Sequence, residues 1–169
     1  LSEVWALCAA PDGSVFIAGE TESPDFPTHE ALFAEPLGGA DAFLCVLSPD
    51  LKDIVFSSYL GGENDDRANG AATDSAGNLY VAGETASVDL PLSNAVQSAF
   101  AGGLWDAFAA KITPERRVVY LTYLGGAGDD RAFAVAPDRI GHAHLAGETS
   151  STNLAVHLPV QAAHGGGRW

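Results

Sequence analysis

Val15-Phe-Ile-Ala-Gly-Glu-Thr21 recurs twice in this chain, as Leu79-Tyr-Val-Ala-Gly-Glu-Thr85 and as Ala143-His-Leu-Ala-Gly-Glu-Thr149. Each copy lies 64 positions after the one before it. We predict that each copy is a β-strand, in which successive side chains point to opposite faces of the sheet. A repeat of this length predicts an array of equivalent supersecondary units.

A second block, Tyr59-Leu-Gly-Gly62 followed by Asp65-Asp-Arg67, returns at positions 123–131. Between the blocks, alternating segments and tight turns predict four short antiparallel strands per unit, which is the blade of an all-β propeller. The small residues of the first strand suit the crowded position near the propeller axis. In the middle unit the predicted strands are 68–73, 79–84, 106–112 and 118–124, and a short helical turn is expected at 92–100.

The order of these motifs resembles the SBBP-type β-propeller repeat of bacteria and archaea. The resemblance is carried by Tyr-Leu-Gly-Gly with Asp-Asp over 59–66, by the turn and strand over 74–85, by Asp-Leu-Pro at 89–91, and by Gly-Gly-x-x-Asp-Ala-Phe over 102–108. It covers almost the whole chain. The resemblance implies a β-propeller and a large secreted or cell-surface, S-layer-like protein, so an extracellular location is expected.

We predict one propeller domain in three segments. Residues 1–40 supply two strands and the long loop of a first blade; 41–105 complete that blade and start the second; 106–169 complete the second blade and begin a third. Residues 166–169 align with 102–105. The resulting ten strands make about two and a half blades, and closed propellers have about four to eight. We therefore expect a fragment of a larger propeller, with self-assembly as the alternative.

The chain is acidic, with 22 Asp and Glu against 8 Lys and Arg and a net charge of −14. A nucleic-acid partner would need a basic surface, so this class of function is excluded. No apolar run is long enough to span a membrane. Blade connectivity places the long loops and the blade-to-blade links at one end of the sheets. Nearly all of the net charge falls at that end.

Three hypotheses account for these acids. In the first, they bind Ca²⁺, which takes six to eight oxygen ligands; the candidate ligands are Asp65, Asp66, Asp129, Asp130, Glu84 and Glu148. In the second, one Asp of each pair bonds backbone amides of its tight loop while the other pairs with Arg67 or Arg131. In the third, the loops form a binding face in which acids lie beside apolar groups; its candidate residues are Glu20, Asp25, Phe26, Asp89, Leu90 and Trp105.

We therefore expect a non-catalytic scaffold or binding module whose acidic loop face contacts a protein or a carbohydrate at the cell surface. The remaining blades of the parent chain are further expected partners. No catalytic residue is assigned, and Ca²⁺ is the only candidate cofactor. The alternative is a hydrolase or lyase acting on a carbohydrate or a lactone, with carboxylates of this face and a divalent metal. Function on a propeller depends on its loops, so the fold does not choose between these classes.

Overall fold

A computed structural model describes residues 1–161 and 163–165, and the alignment of 166–169 lies outside this part. Ten strands are present in the described residues, as predicted. They are β1 (Ser2–Ala9), β2 (Val15–Thr21), β3 (Asp41–Leu47), β4 (Ile54–Leu60), β5 (Asp66–Thr73), β6 (Leu79–Thr85), β7 (Asp106–Ile112), β8 (Val118–Leu124), β9 (Asp130–Pro137) and β10 (Ala143–Thr149).

The strands form two four-stranded sheets, β1-β2-β3-β4 and β5-β6-β7-β8, and a two-stranded sheet of β9 and β10. All pairings are antiparallel between strands that are consecutive in the sequence. The prediction of an all-β fold built from four-stranded antiparallel units is confirmed. Within residues 1–161 and 163–165 no segment is helical, and no helix could therefore cross a membrane.

The helical turn expected at 92–100 is wrong. Ser93 forms an isolated antiparallel bridge with Leu121, and the two residues exchange backbone hydrogen bonds of 3.2 and 2.8 Å. The Ser93–Leu121 bridge thus ties this segment to the outer edge of β8, and the backbone turns at Asn94, where φ is +44°. A side-chain pattern compatible with a helical turn is overridden by this pairing.

The first strands of successive sheets pack against one another, as the small residues of β5 predicted. A Cβ atom at Gly70 would lie 2.9 Å from Ala134 Cα and 3.0 Å from Phe133 O, so only glycine allows β5 and β9 to approach this closely. The side chain of Asn69 donates a 3.1 Å hydrogen bond to Ala132 O across the same seam. Small residues therefore place β5 at the innermost position.

The core fills the spaces between the sheets. Leu79 and Val81 project from β6 into the space facing the first sheet, whereas Tyr80 and Ala82 project towards the third. All four side chains are buried. β6 therefore carries apolar side chains on both of its faces, because each face of the second sheet is covered by a neighbouring sheet.

The sheets have two distinct ends. We name the long-loop end for the loops 22–40 and 86–105 and the links 61–65 and 125–129, and the turn end for the tight turns between strands. One residue departs from the expected sorting of charges: Glu30, in the loop 22–40, forms an ion pair with Arg116 of a turn. The loop descends beside β4, where His29 bridges to Ser57. Glu30 therefore does not contribute to the surface at the long-loop end.

Candidate functional site at the long-loop end

The second Asp of each pair is a buried clamp for its own Gly-Gly loop. Asp66 Oδ2 accepts hydrogen bonds from the Gly62 amide and from Ser87 Oγ, both at 2.8 Å. Asp130 Oδ2 repeats this arrangement with Gly126 and Ser151, both at 2.7 Å. Each clamp joins the link before a first strand to the loop after the second strand, so the aspartate orders two chain segments at once.

The first Asp of each pair ties successive sheets together. Asp65 Oδ1 accepts a 3.0 Å hydrogen bond from the Ala40 amide, and Asp129 Oδ1 accepts one of 2.6 Å from the Leu104 amide. In both cases the donor lies just before the third strand of the preceding sheet. Both aspartates of a pair therefore bond backbone amides, where the structural hypothesis assigned this role to only one of them.

A further buried aspartate lies beside each clamp. Asp41 and Asp106 open the third strands and are fully buried, and their Oδ2 atoms accept amide hydrogen bonds within the preceding loop, at 3.0 and 2.7 Å. A Cβ atom at Gly61 would collide with the carboxylates of Asp41 and Asp66 together. The two carboxylates thus face one another across a space that only glycine leaves open. Neither aspartate is among the predicted site residues, although Asp106 belongs to the Gly-Gly-x-x-Asp-Ala-Phe motif and Asp41 begins the same Asp-Ala-Phe sequence after Gly38-Gly39.

Burial changes the acidity of these aspartates. It raises the pKa of Asp66 to about 6, against the opposing effect of its hydrogen bonds. Burial also raises the pKa of Asp106 to about 6, with a smaller contribution from the negative charge of Asp130. The pKa of Asp41 is raised for the same reason. A low-dielectric site disfavours the charged form of a carboxyl group, so part of the formal negative charge of this end is weakened near pH 6.

Glutamates of the repeated motif form an alternating ladder with two arginines. Arg67 lies between Glu20 and Glu84, with N–O distances of 2.5 and 3.0 Å. Arg131 lies between Glu84 and Glu148, at 2.8 and 3.0 Å. The second strands supply the glutamates and the first strands supply the arginines. Each arginine therefore neutralises carboxylates of two successive sheets.

The hypothesis that one Asp of each pair binds these arginines holds only weakly. Asp129 Oδ2 lies 3.8 Å from Arg131 Nη2. Arg67 instead binds the two glutamates, and its guanidinium lies 4.8 Å from the centre of the Trp105 ring. The residues of the recurring Asp-Asp-Arg sequence thus have two separate roles. The aspartates bond the loops, and the arginine binds the neighbouring glutamates.

The ladder borders an open depression on the inner side of the first strands. The depression measures about 390 Å³, and its walls are formed by Trp5, Arg67, Asn69, Glu84, Arg131, Phe133 and Glu148. Its polar groups are mostly engaged in the ladder. The depression therefore presents alternating positive and negative charges and exposed aromatic rings, not a cluster of charges of one sign.

The repeat geometry has a counterpart among known families. Residues 55–91, from β4 through β6 to the Asp-Leu-Pro segment, match the family model of the SBBP β-propeller repeat. The chain contains an SBBP β-propeller repeat. This match confirms the resemblance, and the four-stranded sheets are consistent with propeller blades. No curated protein matches the chain significantly.

Two apolar residues proposed for the binding face, the half-buried Phe26 and the buried Leu90, pack against aromatic side chains of the strands. Phe26 packs 4.8 Å from Phe43 and 5.6 Å from Tyr59 between ring centres. Leu90 is only 6% exposed, and its amide donates a 3.0 Å hydrogen bond to Tyr123 Oη. These two residues therefore plug the top of their blades.

The remaining binding-face candidates lie nearer to solvent. Asp25 and Asp89 are exposed, although Asp89 Oδ1 accepts a 3.0 Å hydrogen bond from the Glu63 amide. Glu20 and Trp105 are half-buried, and both contact the Arg67 guanidinium. The loops of the long-loop end thus combine exposed acids with aromatic and charged groups that are already paired within the chain.

The six proposed calcium ligands all have protein partners. The four aspartates bond loop amides, and the two glutamates bind the arginine ladder. Across residues 1–161 and 163–165, no group of three or more His, Cys, Asp or Glu side chains could hold a metal ion. Calcium binding at these positions stays a prediction that the geometry does not test.

Proposed function

We propose that the chain is a non-catalytic binding module of a secreted or cell-surface protein, and that its long-loop end contacts a basic protein surface. The SBBP repeat supports a propeller scaffold, and the family resemblance suggests the extracellular location. The observation that carries the proposal is the distribution of exposed charge at the long-loop end. Exposed acids project from its loops, whereas its two described arginines are held in the ladder.

The acids available to a partner are those that the fold does not bury. Asp41, Asp66 and Asp106 are fully buried, so they cannot touch another molecule. The exposed set at this end consists of Glu22, Asp25, Glu35, Glu63, Asp65 and Asp89. These residues come from three successive loops of one surface. Clustered charge of one sign attracts an oppositely charged partner and speeds its association.

A protein partner fits this surface better than a nucleic acid, which the negative charge would repel. Several loop amides that could orient sugar hydroxyls are already bonded to aspartates, as those of Gly62, Ala40 and Leu104 are. Carbohydrate binding is therefore the less favoured alternative within the same proposal. The remaining blades of a longer parent chain would pack against the sheet faces and leave the long-loop end open to such a partner.

The contacts of the acids also support a non-catalytic role. A hydrolase would use a carboxylate as an acid, base or nucleophile that reaches a substrate atom. Glu84 is 5% exposed and sits between two guanidinium groups. Asp129 accepts a loop amide bond. Positions occupied in this way hold the fold, and the enzyme alternative has no observation that favours it.

The proposal is tested with a hexalysine peptide as a defined basic probe. Glu35→Lys and Glu63→Lys together replace two exposed acids of the long-loop end. Asp53→Lys and Glu115→Lys make the same charge change at the turn end, where both residues are also exposed. We expect the first double variant to weaken peptide binding about tenfold at low salt and the second to have little effect.

Calorimetric titration at two salt concentrations measures this difference. Binding should weaken as salt increases, because exposed charges are screened within roughly a Debye length. The proposal fails if the unmodified chain does not bind the peptide, or if both double variants weaken binding equally. Equal weakening would show that only net charge matters and that the long-loop end is not a distinct contact surface.

A further inference from the structure

The turn ends of the two seams between blades are built from different chemistry. At the seam between the second and third blades, Tyr80 Oη lies 3.0 Å from both Asp74 Oδ2 and Gly141 O. Lys111 Nζ lies 3.8 Å from the same carboxylate oxygen and 4.7 Å from the centre of the Tyr80 ring. This polar triad fills the inner part of the seam, and Tyr80 is fully buried.

The first blade replaces every member of the triad with an apolar residue. Phe16 and Val46 are paired across β2 and β3 as Tyr80 and Lys111 are paired across β6 and β7. Ala10 begins the first turn in the position that Asp74 holds in the second. Phe16 therefore holds the position of Tyr80 but has no hydroxyl group. The first blade also has no carboxylate at the position of Asp74 and no ammonium group at the position of Lys111.

A cavity of about 340 Å³ lies at the turn end of the seam between the first and second blades. Phe16 and Val46 form its wall on the first blade, and Leu79 and Ile112 form its wall on the second. Its volume falls in the range of small-molecule sites, about 300–1,000 Å³, whose walls are mostly apolar with a few polar groups. The cavity thus lies where the first blade has apolar residues in place of the polar triad.

The polar groups on the lining of this cavity include Asp12, Ser14, Ser75, Thr113 and Arg116, and the Gly77 backbone adds a hydrogen-bond acceptor. Gly77 lies on its lining and corresponds to Gly141, whose carbonyl is within hydrogen-bond distance of the Tyr80 hydroxyl. In the described part of the chain, no residue donates a hydrogen bond to Gly77 O. The second seam therefore shows which group suits this position: an aromatic hydroxyl that donates to the turn carbonyl.

The cationic group on the cavity lining is already neutralised. The Arg116 guanidinium donates a 2.8 Å hydrogen bond to Val55 O and forms an ion pair with Glu30. An anionic ligand would have to displace that carboxylate. We infer that this cavity binds a small neutral aromatic alcohol of the phenol class, with its ring against Phe16 and Val46 and its hydroxyl directed to Gly77 O. The site is separate from the acidic surface of the long-loop end.

The test uses 4-methylphenol as the probe and toluene, which lacks the hydroxyl, as its matched comparison. Both are titrated into the unmodified chain, with binding followed by NMR chemical shifts. We expect 4-methylphenol to bind about tenfold more tightly than toluene, since a hydrogen bond worth about 1.4 kcal/mol gives that ratio. Shifts should concentrate on the residues around Gly77 and Phe16.

Two variants locate the binding. Phe16→Tyr places the hydroxyl of the chain itself near Gly77 O, and the triple variant Ala10→Asp, Phe16→Tyr, Val46→Lys transplants the whole triad. Both should weaken 4-methylphenol binding at least tenfold. Phe133→Tyr makes the same single change on β9 outside the cavity and should leave binding unchanged.

The inference is overturned by any of three results. Absence of 4-methylphenol binding at millimolar concentration removes the site. Equal affinity for toluene removes the hydroxyl contact. Unchanged binding by a correctly folded triad variant places the probe elsewhere. Phe16→Tyr keeps the ring and adds one atom to an open cavity, so loss of its fold does not confound the measurement.

Discussion

Glu84 Oε2 on β6 lies 2.8 Å from Arg131 Nε on β9, and its other oxygen lies 3.0 Å from Arg67 Nη1 on β5. This carboxylate therefore joins the second blade to the third through Arg131, and it also binds Arg67 of its own blade. It is 5% exposed, and the two arginines remain partly exposed. A carboxylate in this position connects blades through charge as well as through apolar packing.

Glu84→Gln should lower the free energy of unfolding by about 2 kcal/mol, because it leaves both guanidinium groups with one carboxylate fewer in a partly buried site. Glu148→Gln is the matched control, since Glu148 lies at the end of the ladder, forms one ion pair among the described residues, with Arg131, and is more exposed. We expect a cost of less than about 1 kcal/mol for the control. Urea unfolding at neutral pH measures both, and equal losses would argue against a central role for Glu84.

Stability should fall as the pH rises from about 4 to about 7. The pKa values of Asp66 and Asp106 are about 6 in the folded chain, above the ordinary value of about 3.9 for an unfolded Asp. The folded state therefore binds more protons between these values. Its extra stability is fully present below pH 4 and is lost as the pH rises through 6. Each group contributes about 2–3 kcal/mol to this change.

Asp106→Asn isolates one of these contributions. The amide stays neutral and can still accept the 2.7 Å hydrogen bond from the Ala101 amide. We expect the variant to be more stable than the unmodified chain at pH 7 and to show a flatter dependence on pH. Asp53→Asn, at an exposed site, controls for the loss of a formal charge. Parallel pH profiles for Asp106→Asn and the unmodified chain would contradict the prediction.

Much of the fold follows from local sequence patterns. β7 and β8 begin and end at the predicted positions, 106–112 and 118–124. The prediction of a helical turn at 92–100 is wrong because the conformation of this segment depends on its pairing with Leu121 of another strand. Short-range patterns cannot report such a partner. The repeated glycines predict tight turns, but the sequence does not predict that two carboxylates pack against Gly61.

The candidate site was less predictable than the fold. The order of the strands can be predicted from the sequence, and this order alone places the acids at the long-loop end. The partners of these acids lie far away along the chain, as Ser87 does for Asp66. Glu30 leaves the expected surface because its loop follows β4 down to Arg116. Charge can be assigned to an end of a sheet from topology, whereas burial and pairing require the packed loops.

Millimolar Ca²⁺ should leave the melting temperature of the chain unchanged. The Asp and Glu residues proposed as ligands are bonded to loop amides or to arginines, so a cation would have to displace these contacts. A ligand that binds only the folded state at one hundred times its dissociation constant stabilises by about 2.7 kcal/mol, which a melting experiment detects readily. Melting with Ca²⁺ and with a chelator is the measurement. A clear calcium-dependent increase would support the cation hypothesis instead.

Tyr123→Phe should destabilise the second blade by about 1–2 kcal/mol. The Tyr123 hydroxyl donates a 2.8 Å hydrogen bond to Ser87 O and accepts one of 3.0 Å from the Leu90 amide. Phe leaves both backbone groups without this partner in a buried site, where an unsatisfied group costs about 1–3 kcal/mol. The ring itself continues to pack against Phe100. The cost therefore reports the hydrogen bonds rather than the loss of apolar contact.

Tyr120→Phe is the control on the same strand, because the Tyr120 side chain is half-buried and its hydroxyl makes no hydrogen bond within residues 1–161 and 163–165. We expect it to change the free energy of unfolding by less than about 0.5 kcal/mol. Hydrogen exchange adds a local measurement, since loss of the Tyr123 hydroxyl should expose the Leu90 amide to faster exchange. Equal effects of the two substitutions, or unchanged exchange at Leu90, would show that apolar packing alone anchors the long loop to β8.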